Sequence, residues 1–96
     1  MPRSPLSDAE ITSRVQLLHS WQVEHGELVR TLSFADFRAA LAFVNQVGEL
    51  AEAAGHHPDI DIRYNRVRLA LVTHDTGGLT AKDFDLARKI DGLDNT

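Results

Sequence analysis

The sequence predicts an α+β fold: a four-stranded antiparallel sheet with three helices packed on one face, in the order α-β-β-α-β-β-α. Three observations carry that prediction. Three Ser or Thr residues each precede an acid by three positions, inside apolar pairs of hydrophobic-staple spacing, and so mark three helix starts. Two stretches between them alternate apolar and polar residues about a short turn, which marks two hairpins. Strands adjacent in sequence pair antiparallel, and helices interspersed with hairpins then cover one face of the sheet.

Taken in order, residues 1–6 begin MPRSPL, lack the apolar core of a secretion signal and read as a loose tail. Ser7 with Glu10 makes a capping box, and Leu6 with Ile11 makes its staple, so a helix should run from Asp8 to Leu18. In SWQVEHGELVRTL, Trp21 and Val23 form one strand and Leu28 to Leu32 the next, with His25-Gly26 at the turn. Ser33 with Asp36, and Leu32 with Phe37, open a second helix from Phe34 to Ala54. Its buried stripe reads as Phe37, Leu41, Val44, Leu50, Ala51 and Ala54, and Gly55 ends it. In DIDIRYNRVRLALVTHD, Ile60, Ile62 and Tyr64 alternate with polar residues and Asn65-Arg66 marks the turn. Val67, Leu69, Leu71 and Thr73 then share one face, and Arg68, Ala70, Val72 and His74 the other. Thr80 with Asp83, and Leu79 with Phe84, open the third helix, from Ala81 to Ile90, with Phe84, Ala87 and Ile90 inward.

A chain of 96 residues is expected to form one domain. A domain that small has a thin core, which favours association into a homodimer or homotetramer. With no cysteine, disulfides and thiolate metal sites are excluded. The net charge of -4 and pI near 5.6 argue against a nucleic-acid surface. No apolar run approaches the roughly 18 residues of a membrane span, so a cytoplasmic protein is expected.

The chemistry concentrates in GHHPDIDIRY. Glu52 and His56 are four apart and share a face if the helix holds through its last turn. His57 follows, stiffened by Pro58. A hairpin centred on Asn65-Arg66 places Val67 opposite Tyr64 and His74 opposite His57, which gathers His56, His57 and His74 at one end of the sheet. Histidine, with an unperturbed pKa of about 6.5, exchanges protons near neutrality. Three in one cleft suit a reaction that moves two protons. The rival is a zinc site made of the three histidines with Asp59 or Asp75. Against it, adjacent residues of an extended segment point to opposite sides, and no His-Glu-x-x-His motif is present, so no metal is expected. The remaining features read as structural. His19 and His25 are solvated, DTGGL is a turn without the lysine of a phosphate loop, and Trp21 and the phenylalanines are core. Arg63, Arg66 and Arg68 are a solvated hairpin end.

Glu52, the HHP of His56 to Pro58, Tyr64, His74 and an acid at Asp83 or Asp85, at these spacings, resemble the pattern of the pterin-4a-carbinolamine dehydratases. HHPDIDIRYNRV and THDTGGLTAKDFDLA look like the bacterial branch of that family. The detailed match covers about residues 49 to 91. The resemblance implies dehydration of 4a-hydroxytetrahydropterin to quinonoid dihydropterin, which recycles the pterin of aromatic amino acid hydroxylation, with no metal or organic cofactor. It implies that His56 and His74 are the acid/base pair, that His57 chiefly holds the pterin and that Glu52 binds or orients near the ring. Pro58 and the segment Thr73, His74, Asp75 and Thr76 would line the pocket. Where some members carry an aspartate before the first histidine and a tryptophan after the HHP acid, this chain has Gly55 and Ile60. A non-catalytic dimerisation or assembly role is the alternative the family offers, and the retained histidines favour the enzyme.

Overall fold

The computed structural model describes residues 5–18 and 20–93. In chain order they form α1 (Asp8–Val15), β1 (Gln22–Glu24), β2 (Glu27–Ser33), α2 (Phe37–Ala54), β3 (Asp59–Arg63), β4 (Arg66–Leu71) and α3 (Ala81–Leu93), the predicted succession. The strands make one antiparallel sheet in the order β1-β2-β4-β3, so the two hairpins join through β2 and β4, from Leu28 opposite Leu71 to Ser33 opposite Arg66. One sheet face, carrying Leu28, Leu32, Val67, Leu69 and Leu71, packs against Phe43, Val47 and Ala51 of α2 and Phe84, Ala87 and Ile90 of α3, with Ile11 and Val15 of α1 at the margin. At about 25 cal/mol per Å² of apolar surface, each such large side chain contributes about 1.5–3 kcal/mol.

The first helix begins as predicted. Ser7 Oγ accepts from the Glu10 amide, and Glu10 Oε1 accepts from the Ser7 amide. It stops at Val15 rather than Leu18, because the Leu17 and Leu18 amides turn back only three residues, to Arg14 and Val15. Within the expected loose tail, residues 1–4 lie outside the described residues, while the Leu6 amide donates to the Leu79 carbonyl at 2.8 Å. His19 also lies outside them. The β1–β2 turn holds His25 and Gly26 at φ 51° and 78°. Two successive left-handed residues suit the right-handed twist of a two-residue hairpin, and His25 is exposed there.

The second helix departs from expectation twice. It starts at Phe37, not Phe34, and its cap is Asp36, whose Oδ1 accepts from the Ala39 amide at 2.8 Å. Ser33 is held in the sheet opposite Arg66, and the Phe34 amide donates to the Asn65 carbonyl, so the chain cannot coil until later. The buried face is Ala40, Phe43, Val47 and Ala51. Phe37 is 46% exposed and Leu41 38%. Of the predicted stripe, Ala51 is buried, Val44 and Leu50 are half-buried, and Ala54 is exposed.

The second hairpin turns at Tyr64-Asn65, not Asn65-Arg66, which pairs Arg63 with Arg66 and Ile62 with Val67. Asn65 is pinned, because its side-chain amide donates to the Phe34 carbonyl at 2.8 Å. Tyr64 takes the left-handed position, at φ 53°. A slip of two residues leaves every side chain on its expected face, so Val67, Leu69, Leu71 and Thr73 are still buried. Trp21 and Arg30 meet Asp91 of α3 beneath the sheet. Asp91 Oδ1 accepts from Trp21 Nε1 at 2.7 Å and Arg30 Nη1 at 2.5 Å. Among the described residues no helix is long and apolar enough to cross a membrane.

Candidate active site

The site begins at the end of α2. Gly55 sits at φ 63° with its amide donating to Ala51 and Glu52, and the His56 amide reaches back to the Ala51 carbonyl. This is a Schellman ending, in which glycine supplies the left-handed residue without a Cβ penalty. The turn sends the two histidines to different environments. His56 is buried, with 9% of its surface exposed, whereas the His57 side chain is 61% exposed.

The third histidine comes from the loop after β4. Thr73 forms an isolated bridge with Gly78, and the loop between them is closed by the Thr76 and Gly77 amides donating to the Thr73 carbonyl. The Thr76 hydroxyl also donates to that carbonyl, and Gly77 is left-handed at φ 72°. His74 and Asp75 stand exposed on this loop.

Asp83, in the first turn of α3, connects the two regions, and no part of it is exposed. Its Oδ2 accepts from the Thr73 hydroxyl at 2.9 Å and the Thr80 amide at 3.0 Å. Since Thr73 spends its proton on Asp83, Thr80 Oγ1 donates to Thr73 Oγ1 at 2.8 Å and itself accepts from the Lys82 amide. The remaining carboxylate oxygen, Oδ1, lies 2.5 Å from His56 Nε2. A carboxylate only accepts, so Nε2 carries a proton and Nδ1 is the nitrogen of His56 left for other partners. Such a carboxylate fixes the tautomer and ring orientation and favours the imidazolium when it forms.

His56, His57 and His74 line one open cleft of about 230 Å³ together with Gly55, Val72, Thr73, Asp75 and Lys82. That is below the usual range for an enclosed small-molecule pocket. A larger cavity, about 640 Å³, lies elsewhere, between α1 and the Gly77-Gly78 turn. Its wall includes Ile11, Val15, Val23 and Leu79, and among the described residues its one ionisable side chain is Asp8, so it lacks the paired groups that a two-proton reaction needs.

Of the residues expected at the site, Glu52, Pro58 and Thr76 do not line the cleft. Glu52, expected beside His56, instead bonds His57, Oε2 to Nε2 at 2.5 Å, because the left-handed Gly55 breaks the helical spacing. Pro58 is half-buried behind the histidines. Among the described residues no group of three or more His, Asp or Glu is arranged to hold a metal ion. Lys82 and Thr80 were not anticipated here. Asp83 had two signals, the Thr80 cap and the terminal acid of the family pattern, but a link across 27 positions to His56 is invisible in the sequence.

Comparison with known proteins bears on the family and the fold. The profile of the family Pterin 4 alpha carbinolamine dehydratase matches residues 4–93. A protein of Chloroflexus aurantiacus whose name places it in that family is 64% identical over 93 residues, spanning 97% of this chain and 98% of its own. One from Acidobacterium capsulatum is 60% identical over 88 residues, covering 92% and 96%. Among solved structures, a transcriptional coactivator/pterin dehydratase of Brucella melitensis superposes with a TM-score of 0.90 at 33% identity, over 94% of this chain and 98% of that one. A pterin dehydratase-like protein described as a RuBisCO assembly factor of the alpha-carboxysome shares the fold, with a TM-score of 0.66 at 24% identity over 78% and 89%.

Proposed function

The chain belongs to the pterin 4 alpha carbinolamine dehydratase family, and from that premise we propose that it converts 4a-hydroxytetrahydropterin to quinonoid dihydropterin and water by histidine acid/base catalysis. The observation that carries this reading is that His56, backed by the buried carboxylate of Asp83, shares one cleft with His57 and His74.

A carbinolamine carries its hydroxyl on a carbon bonded to nitrogen. Dehydration breaks that C–O bond, removes the proton of the adjacent ring nitrogen and forms the C=N bond, with the oxygen leaving as water. Two proton transfers are needed, each of which a positioned side chain accelerates by about 10²–10⁴-fold. His56 is the base. Its Nδ1 lone pair takes the ring proton, and Asp83 stabilises the resulting imidazolium. His74, on the exposed loop, gives its proton to the departing hydroxyl and regains one from solvent. His57, braced by Glu52 at the cleft mouth, holds the pterin. In the cell the product would return to the pterin cycle of aromatic amino acid hydroxylation. Exposed Phe37 and Leu41 on α2, with the β1 and β3 edges unpaired, fit the expected homodimer or homotetramer, which light scattering at micromolar concentration tests.

Dehydratase turnover of the purified protein on 4a-hydroxytetrahydropterin is the deciding measurement. Absence of turnover in a folded preparation would leave the assembly role as the reading of this chain.

A further inference from the structure

The end of the sheet remote from the histidines carries a charge arrangement that proton chemistry does not use. On the face opposite the helices, Arg63 and Arg66 are direct cross-strand partners. Arg68 follows on the same face of β4, flanked by Asp61 of β3 and Thr31 of β2. Three guanidinium groups thus meet two carboxylates, Asp61 and Glu24 of β1, in a chain whose net charge is -4. Like charges directly opposite each other destabilise a strand pair, so folding alone does not favour this placement.

The counter-charges present are weakly engaged. Arg63 Nε is 3.5 Å from Asp61, and Arg68 Nη2 is 3.4 Å from Glu24 of β1. Arg66 has no carboxylate within ion-pair distance among the described residues. Arg63, Arg66 and Arg68, with Asp61 and Thr31, wall a hollow of about 230 Å³. Guanidinium forks match the oxygens of a tetrahedral oxyanion in pairs, and a threonine hydroxyl adds a further donor. A phosphate dianion in the hollow would offset the remaining local positive charge and the Arg63–Arg66 repulsion together.

We propose that Arg63, Arg66 and Arg68, with Thr31, form a phosphate-binding site on the open face of the sheet, separate from the histidine cleft. Its ligand is either free phosphate or the phosphate monoester of a small molecule, and the shared chemistry is the dianionic oxyanion.

The test is calorimetric titration of the whole protein with inorganic phosphate at low ionic strength, where exposed charges are least screened, against a chloride control of equal ionic strength. AMP and adenosine are titrated in parallel. Saturable phosphate binding is expected, at least about tenfold weaker in the Arg63→Ala/Arg66→Ala double variant. Arg66→Lys should lose less, dehydratase turnover should not change, and His57→Ala should bind phosphate normally. AMP binding tighter than phosphate, with adenosine silent, identifies a monoester, and equal affinities identify free phosphate. All these substitutions are at exposed positions, and the thermal midpoint of the double variant without ligand should equal or exceed that of the parent. No saturation beyond the chloride control, unchanged binding in the double variant, or loss of binding in His57→Ala would each overturn the proposal.

Discussion

Replacing Asp83 by Asn separates the geometric from the protonic contribution of the buried carboxylate. The side chain keeps its shape, and its oxygen can still accept from the Thr73 hydroxyl and the Thr80 amide. Its NH2 group then faces His56 Nε2 and donates, which moves the histidine proton to Nδ1 and turns the free nitrogen from acceptor to donor. The same inversion in the Asp–His pair of a serine protease lowers kcat by about 10⁴; with base catalysis worth about 10²–10⁴, the expected loss here is about 10²–10⁴-fold in kcat. Stability falls too. Hydrogen bonds to a charged group contribute about 1.5–3 kcal/mol against about 0.5–1.5 for neutral ones, so demoting three contacts costs about 3 kcal/mol. At about 4–8 °C per kcal/mol for a domain of this size, the thermal midpoint should drop by about 10–25 °C. Turnover and KM are measured well below that midpoint, with circular dichroism confirming a native spectrum. The expected signature is a collapse of kcat with KM little changed. A folded Asp83→Asn protein retaining kcat within a factor of about three would refute the assignment of His56 as a carboxylate-oriented base.

The other expectations are briefer. His56→Ala and His74→Ala should each lower kcat by about 10²–10⁴-fold, the double variant by less than the product, and His57→Ala should mainly raise KM; a fully active His74→Ala variant would remove the acid from the scheme. Extensive dialysis against a chelator should leave turnover intact, and a loss restored by zinc would establish the metal mechanism instead. Asp91→Ala takes from Arg30 and Trp21 the acceptor they share; urea denaturation should show a loss of about 3–5 kcal/mol, and a loss under about 1 would mean the network is dispensable. The Ser7 amide, then the Ser7 hydroxyl contact and Arg14, hold the Glu10 carboxyl below its ordinary value of 4.5. A depressed acid stabilises the fold above its unfolded value and loses that contribution as pH falls through the folded one. Melting curves between neutral and strongly acidic pH should therefore show the parent losing more than Glu10→Gln below about pH 4.5, and parallel curves would contradict the capping box.

How much of the fold is legible in the sequence depends on the range of the interaction that decides each feature. Caps and turns are local, so Ser7-Glu10, Thr80-Asp83 and His25-Gly26 stand where the sequence puts them. The start of α2 does not, because Ser33 is claimed by β4, a partner distant in sequence. Its buried face is ambiguous because α2 has apolar residues nearly all round. Phe37-Leu41-Val44 and Ala40-Phe43-Val47-Ala51 are both acceptable stripes, and periodicity does not choose between two when the sheet does. The hairpin slip has the same source, since Asn65 answers to Phe34, 31 residues away. Because the slip is even, the histidines still gather at one end of the sheet.

The deepest overlap of fold and site is at Asp83. Read as a cap, it holds the first turn of α3 through the Thr80 amide. Read as the terminal acid of a family pattern, it belongs to the chemistry. One carboxylate serves both, with Oδ2 committed to Thr73 and Thr80 and Oδ1 to His56. Three chain segments, the end of α2, the exit of β4 and the start of α3, therefore meet on a single buried charge. Burying a charge is costly unless it is fully paired, so a side chain that fills only the capping role would not need to be sealed from solvent. Asp36 is the internal comparison: it serves the start of α2 from the N-cap position, accepting from the Ala39 amide, where Asp83 serves α3 from its first turn by accepting from the Thr80 amide, and Asp36 stays exposed. Substituting Asn at both positions thus distinguishes the roles within one protein. Asp36→Asn should leave kcat unchanged and cost a few tenths to about 1 kcal/mol at most, since Asn caps about as well as Asp. Asp83→Asn should lose both stability and turnover. Equal effects at the two positions would reduce Asp83 to a helix cap and leave His56 without its positioning residue.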